Sequence, residues 1–326
     1  MRKINVGVIG VGYWGKKILH EYLQLSKNNS LVNLHGACDL LEDNLKHCKN
    51  YGIPCMTKYR EEIISSPEID AVNICTPNET HYQICREALE AGKHVLVEKP
   101  MTLSSAEAYE LVKLARRQDL VLSVGHIFRF NNALRMARDL IRNGFFGDLF
   151  YLKLVWTTLT PPFEGRDIIT DLAPHPFDIV HFLVGEWPTK ITCKAKAYRR
   201  EKLEEMAYIM AEFRNNVTAH VELSWLMPGK NREVSVMGSN RFAKIDCLSQ
   251  TVKVFENDGF HDVCVKRNNT IEEELEHFMY CVQNNSVVNH CYFNESNGLL
   301  GAHVVRLLEI ARKSVEEERT ESVNIN

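Results

Sequence analysis

The chain has 326 residues, 45% hydrophobic and 25% charged, an ordinary globular composition with enough length for two cores. Its 39 Lys+Arg against 42 Asp+Glu leave a net charge of -3, so no broad basic field exists to neutralise a phosphate backbone, and nucleic acid is not an expected partner. No stretch approaches the ~20 apolar residues that cross a bilayer, no export signal opens the chain, and the ten cysteines stand singly without a CxxC pair; the expectation is a cytoplasmic protein with reduced, packed thiols, no membrane association and no metal site.

In chain order, short β-rich runs at Ile4–Ile9, Val32–Cys38, Ala71–Cys75, His94–Val97 and Val121–Val124 alternate with amphipathic helical stretches. The runs are apolar almost throughout, the pattern of parallel strands covered by helices on both faces. After Gly125 the character changes: a helix over about Asn131–Arg142, a strand over about Leu149–Thr158, a Pro/Gly-bearing loop through Thr160–Arg166 and a helix to about Val184. Runs such as Tyr208–Phe213, Val217–Trp225 and Arg232–Met237, separated by turn residues, then predict a largely antiparallel sheet. Two helices, about Ile271–Gln283 and Glu295–Val315, complete the second domain, with Leu299, Leu300, Val304, Leu307, Leu308 and Ala311 at core spacing on the last. The fold class is therefore α/β: a doubly wound parallel Rossmann domain over 1–125, then an α+β domain with a large, mostly antiparallel sheet over 126–326.

The first strand runs directly into Gly10-Val11-Gly12-Tyr13-Trp14-Gly15 and a helical stretch follows, which is GxGxxG in the context its chemistry requires. Gly10 permits the tight turn, Gly12 lets the backbone approach a pyrophosphate, and Gly15 lets helix pack on strand; Tyr13 and Trp14 within the loop join the cofactor-binding candidates. Asp39, 24 residues beyond Gly15 at the end of the second strand, fits the acidic group that binds the adenosine ribose, and Leu40-Leu41 after it supplies no arginine for a 2′-phosphate. The cofactor expected is NAD. The competing reading of Asp39 is a turn-forming residue at a strand end.

The next strand ends Thr76-Pro77-Asn78-Glu79-Thr80-His81 and the one after ends Glu98-Lys99-Pro100; with the glycine motif these segments resemble the Gfo/Idh/MocA family of sugar, inositol and related oxidoreductases. The resemblance implies that Thr76, Pro77, Asn78, His81, Glu98 and Lys99 line the cofactor. It continues through Gly125-His126-Ile127-Phe128-Arg129-Phe130-Asn131 and Asp171-Leu172-Ala173-Pro174-His175-Pro176-Phe177-Asp178, and so covers essentially the whole chain. The latter segment, with Ser224-Trp225-Leu226 and Val236-Met237-Gly238-Ser239, looks most like the branch of nucleotide-sugar dehydrogenases that oxidise C3 of UDP-N-acetylhexosamines. One departure is visible: where many members carry a glycine-rich stretch, this chain reads Phe163-Glu164-Gly165-Arg166, which makes Arg166 a charged candidate for substrate contact.

Taking hydride from an alcohol carbon requires a base for the hydroxyl proton and a cation for the developing alkoxide. The resemblance assigns these roles to His175 and Lys99, whose bland alternatives are a core histidine and an exposed lysine. Asp171, four residues before His175, would orient it or cap its helix; Asp178 would contact substrate or serve packing. His126, Arg129 and Asn131 are further substrate-binding candidates, with Arg129 equally readable as an ion-pair partner. Tyr13…Lys17 and Tyr109…Lys113 carry the Tyr-x-x-x-Lys spacing of short-chain dehydrogenases, but one lies inside the glycine loop and the other has ordinary helix-surface spacing. A non-catalytic NAD sensor and a redox-neutral enzyme that recycles its cofactor are the alternatives to a sugar dehydrogenase. Lys99, Asp171 and His175 together favour an enzyme over a sensor. The partners expected are a small-molecule sugar and, by the family's habit of covering one sheet face, further copies of the chain in a homodimer or homotetramer.

Overall fold

The structure, a computed structural model, describes residues 3–28, 31–46, 48–161, 165–256, 259–284 and 294–325; Phe163, Glu164 and Cys291 lie outside them. Its first elements are β1 (Ile4–Ile9), α1 (Gly15–Asn28), β2 (Val32–Cys38), α2 (Glu42–Lys46), β3 (Cys55–Thr57), α3 (Arg60–Ser65), β4 (Ala71–Ile74), α4 (His81–Glu90), β5 (His94–Val97), α5 (Ser105–Arg117) and β6 (Leu122–Val124). There follow α6 (Asn132–Arg142), β7 (Leu149–Leu159), α7 (Ile168–Leu172), α8 (Pro174–Val184), β8 (Lys190–Lys196), β9 (Met206–Glu212), β10 (Thr218–Ser224) and β11 (Leu226–Gly238). The chain closes with β12 (Phe242–Asp246), β13 (Thr251–Glu256), β14 (Gly259–Val263), α9 (Thr270–Gln283), α10 (Gly298–Glu316) and β15 (Glu321–Ser322).

Two compact units result: Met1–Ile127 with Asn269–Val305, and Phe128–Asn268 with Arg306–Asn326. This corrects the simple division at residue 125, because the stretch from Asn269 to Val305 returns to the first unit. The reason is burial. Leu275, Phe278 and Met279 of α9 complete the core around Val6, Val8, Leu19 and Tyr22, while Ala302 and Val305 of α10 complete the one around Ile74, Val97, Leu111 and Val124. Gly298 and Gly301 permit that second contact, since a Cβ on either would lie 2.7 Å from Leu122 or 2.5 Å from Val124.

The first unit holds a six-stranded parallel sheet in the order β3-β2-β1-β4-β5-β6, a doubly wound arrangement in which the strand order reverses beside β1. The strand not expected from sequence, β3, is a three-residue edge pairing Gly36–Cys38 with Cys55–Thr57, too short to show a pattern. The second unit holds a nine-stranded sheet in the order β14-β13-β12-β11-β7-β10-β9-β8-β15. It is antiparallel except where β7 meets β10, whose strands run the same way with Trp156 opposite Leu223. Leu152, Leu154 and Trp156 alternate along β7 on the buried face, and α7 and α8 lie against β7, β9 and β10. No described helix is long and apolar enough to cross a membrane, and the nine described cysteines form no disulfide.

Candidate functional site

In the first unit the glycine turn carries the geometry its sequence demands. Gly10 sits at φ +89°, where a Cβ would also meet the Cys75 backbone at 2.7 Å, and a Cβ on Gly15 would lie 1.9 Å from the Gly10 carbonyl oxygen. Gly12 differs: nothing lies within 4 Å of its Cβ position. The turn is thus closed against protein at two glycines and open at the third. Helix α1 starts at Gly15 with no acidic side chain in its first turn, so its positive end is uncontested. Asp39 is tied to the turn, one carboxylate oxygen accepting from the Val11 amide at 2.7 Å and the other from the Leu41 amide at 2.8 Å. Open backbone at Gly12, an uncontested helix end and a carboxylate at the end of β2 fit a dinucleotide.

The ends of β4 and β5 bring the other first-unit candidates to the same side of the sheet. Trp14 donates its indole N–H to Glu98, whose carboxyl is pushed up to about 7 by burial, against the opposing pull of the Lys99 charge, the Trp14 indole and the Lys99 amide. Gly125 makes room for this group, since a Cβ there would lie 3.0 Å from both carboxyl oxygens. Lys99 is half-buried and is joined to Pro100 by a cis peptide bond. Thr76 bonds to Thr80 through their hydroxyls at 2.7 Å, and Pro77 is exposed with Asn78 half-buried beside it. Tyr13 is the most exposed residue of the turn, with its hydroxyl 3.2 Å from the Lys17 ammonium.

His81 is different from the lining residue that the resemblance implies. It is fully buried, with Nδ1 2.9 Å from the Pro100 carbonyl and Nε2 2.9 Å from the Thr76 carbonyl. Burial lowers its pKa, against the two carbonyl contacts, so its work is to tie the β4 loop to the Lys99–Pro100 turn. His126 is likewise buried.

In the second unit, α7 and α8 form one nearly continuous helical run. Asp167 caps α7 by accepting from the Thr170 amide at 2.9 Å, and the Phe177 amide donates to the Ala173 carbonyl at 3.0 Å across the junction. Asp171 is therefore one turn ahead of His175, and the cap of the run is Asp167. The Asp171 carboxylate lies 3.4 Å from the Arg166 guanidinium. His175 is half-buried with its ring edge-on to Phe128 at 5.0 Å, and Phe128 packs in the same manner on Trp156 at 5.1 Å.

Three further candidates have structural partners. Arg129 donates to Asp178 at 2.6 Å and lies 3.0 Å from His181; with side chains 7% and 1% exposed, Arg129 and Asp178 are a buried ion pair. Asn131 caps α6, accepting from the amides of Ala133 and Leu134 and donating to the Cys247 carbonyl at 2.9 Å.

One residue went unnoticed in the sequence. Arg232 of β11 is directly opposite Trp156 in the sheet register, with its guanidinium 5.6 Å from the indole ring. Its Nη1 donates to the carbonyls of Thr157 and Asn231, and burial pulls its pKa down to about 10, against the field of Asp171. The signal was present: in Arg232-Glu233-Val234-Ser235-Val236 the alternation places Arg232 on the buried face with the two valines.

A family model described as the oxidoreductase family, NAD-binding Rossmann fold, matches residues 4–126, and the Gfo/Idh/MocA C-terminal domain model matches residues 134–243. The chain belongs to the Gfo/Idh/MocA oxidoreductase family. Its first unit carries the family's NAD-binding domain. Among its relatives, the UDP-N-acetylglucosamine 3-dehydrogenase of Acidithiobacillus ferrooxidans is 27% identical over 86% of this chain and 90% of that protein. A solved structure of that enzyme superposes with a TM-score of 0.84, covering 97% of this chain and 99% of the other. The myo-inositol 2-dehydrogenase of Thermotoga maritima is 24% identical over 78% of this chain and 79% of its own length. An aldose-aldose oxidoreductase from Caulobacter crescentus, 20% identical, shares the fold at a TM-score of 0.88 over 99% of this chain and all of the other.

Proposed function

We propose that this Gfo/Idh/MocA oxidoreductase transfers hydride between NAD and a secondary hydroxyl of a sugar, of the UDP-N-acetylhexosamine type with oxidation at C3. The observation that carries the reading is the joint presence of an NAD-binding glycine turn and the Glu98-Lys99-Pro100 and Asp171-x-x-x-His175 segments, in a chain similar along most of its length to an enzyme named for that reaction. Bound NAD would supply the hydride acceptor. Gly10, Gly12, Gly15, Asp39, Thr76, Pro77, Asn78 and Glu98 would hold the dinucleotide, with His81 fixing the loop that carries three of them. Lys99 would donate a hydrogen bond to the reacting oxygen, and His175 would take the hydroxyl proton on an imidazole nitrogen. Asp171, one turn away, would hold His175 in orientation, with Arg166 steadying Asp171.

The test is NADH absorbance on mixing protein and NAD with a panel of UDP-sugars, free hexoses and inositols, with products analysed in every case. NADH formed with a UDP-N-acetylhexosamine supports the reading. An altered sugar without NADH replaces it with internal recycling of the cofactor, and binding of NAD with no altered sugar favours a sensor.

We also propose a homodimer or homotetramer joined through the open face of the second unit's sheet. Tyr151, Met237, Phe242, Phe255 and Phe260 stand in one cross-strand row on that face, and Tyr208 and Met210 extend it on β9. Several of these side chains are strongly exposed. Light scattering at the monomer mass of 37.5 kDa would overturn the assembly. The free cysteines suit a reducing compartment, the cytoplasm, which thiol counting on natively extracted protein checks.

A further inference from the structure

We propose that the Nε–Nη2 edge of Arg232 is an oxyanion subsite, gripping a carboxylate or phosphate of the sugar substrate in bidentate fashion. The proposal deepens the sugar-oxidoreductase reading and rests on it.

Arg232 is 7% exposed, on the buried sheet face that it shares with Trp156 of the neighbouring strand β7, against which α8 packs. A guanidinium withdrawn from water is costly unless a counter-charge or a full set of acceptors replaces the lost hydration. Here neither is complete. Among the described residues no carboxylate lies within 4.0 Å of it, and both of its hydrogen bonds, at 2.9 Å and 2.7 Å, leave from Nη1. The Nε and Nη2 protons remain, and they form one whole edge of the planar group, the fork that matches two oxygens of a carboxylate or phosphate. Trp156 beneath and the two carbonyls at Nη1 fix the plane of that fork.

Charge points the same way. Asp171 is the carboxylate whose field reaches Arg232, and it is already engaged by Arg166 at 3.4 Å. Arg232 itself has no carboxylate within 4.0 Å among the described residues, so an anionic sugar would supply a counter-charge that a neutral sugar hydroxyl does not.

The experiment measures calorimetric binding of three sugars to the NAD-loaded full-length protein: N-acetylglucosamine, its 1-phosphate and its uronate. Wild type is compared with Arg232→Lys, which keeps the charge but loses the fork, and with Arg232→Met. An anionic sugar is expected to bind about 10- to 100-fold more tightly than the neutral one, with most of the difference lost in both variants and the neutral sugar unchanged. The better of the phosphate and the uronate identifies the source of the anion. Equal affinities of wild type for charged and neutral sugars overturn the subsite without any variant, as does equal weakening of both classes. NADH formation with a UDP-N-acetylhexosamine, followed in parallel, separates the two levels: turnover there without charge discrimination among the three sugars leaves the dehydrogenase reading and removes the subsite, while discrimination without turnover does the reverse.

Discussion

The glycine turn of the first unit and the helical run of the second are built from different materials. The turn is made of backbone: its shape is dictated by which positions can lack a Cβ, and the two glycines that are sterically closed stand beside one that is open. The helical run is made of side chains drawn from distant parts of the chain, with Phe128, Trp156, Asp171, His175 and Arg232 brought together by the sheet and the helices on it. A backbone site tolerates almost no change at its few fixed positions and is indifferent to the rest. A side-chain site spreads its dependence over ion pairs and ring contacts, some of which support the fold and others the chemistry.

The contrast is sharpest for the reacting groups. His175→Ala and Lys99→Met should each lower kcat by about 100- to 10,000-fold while NAD still binds to the His175 variant, as steady-state kinetics and cofactor titration would show. Unchanged kcat in either would remove that residue from the chemistry. Next are the glycines. Gly15→Ala, whose Cβ would meet the Gly10 carbonyl at 1.9 Å, should cost about 100-fold or more in NAD affinity and lower the melting temperature. Gly12→Ala should weaken NAD binding with the melting temperature intact, because the protein itself leaves that space free. If both substitutions destabilised the apoprotein equally, the distinction between closed and open glycines would fail.

Two acidic residues of the helical run divide in the same manner. Asp178→Ala strands the buried Arg129 guanidinium and should cost about 3–5 kcal/mol in denaturant unfolding, whereas Asp171→Asn, whose partner Arg166 is only half-buried, should cost under about 1 kcal/mol and act on kcat instead. A pH-dependent effect is expected at Glu98. With its pKa raised from 4.5 to about 7, the folded protein keeps a proton that the unfolded chain has lost across that window. Stability should therefore decline as pH rises from about 4.5 through 7, and Glu98→Gln should flatten that portion of a melting-temperature profile.

Legibility followed the same division. GxGxxG, Asp39 and the strand-end motifs could be read because each is a local stretch whose chemistry depends on consecutive residues, and the doubly wound sheet followed from strands alternating with helices. The edge strand β3 was missed because three residues show no period. His81, Arg129 and Asn131 were placed near ligand on motif membership, although their partners, the Pro100 carbonyl, Asp178 and the Cys247 carbonyl, come from elsewhere in the fold. No spacing rule announces a partner 116 residues away. Arg232 was visible as a charge on a buried strand face, yet its meaning depends on Trp156 beside it and on the field of Asp171.

The return of Asn269–Val305 to the first unit bears on biogenesis. During synthesis the turn that binds the dinucleotide emerges early, but Leu275, Phe278, Ala302 and Val305 emerge only after most of the second unit. The nascent cofactor domain must wait with apolar surface on both faces of its sheet uncovered, so the part of the protein made first is not finished until nearly the whole chain has emerged, and a ribosome-bound chain stalled before residue 269 would be a better chaperone client than NAD binder.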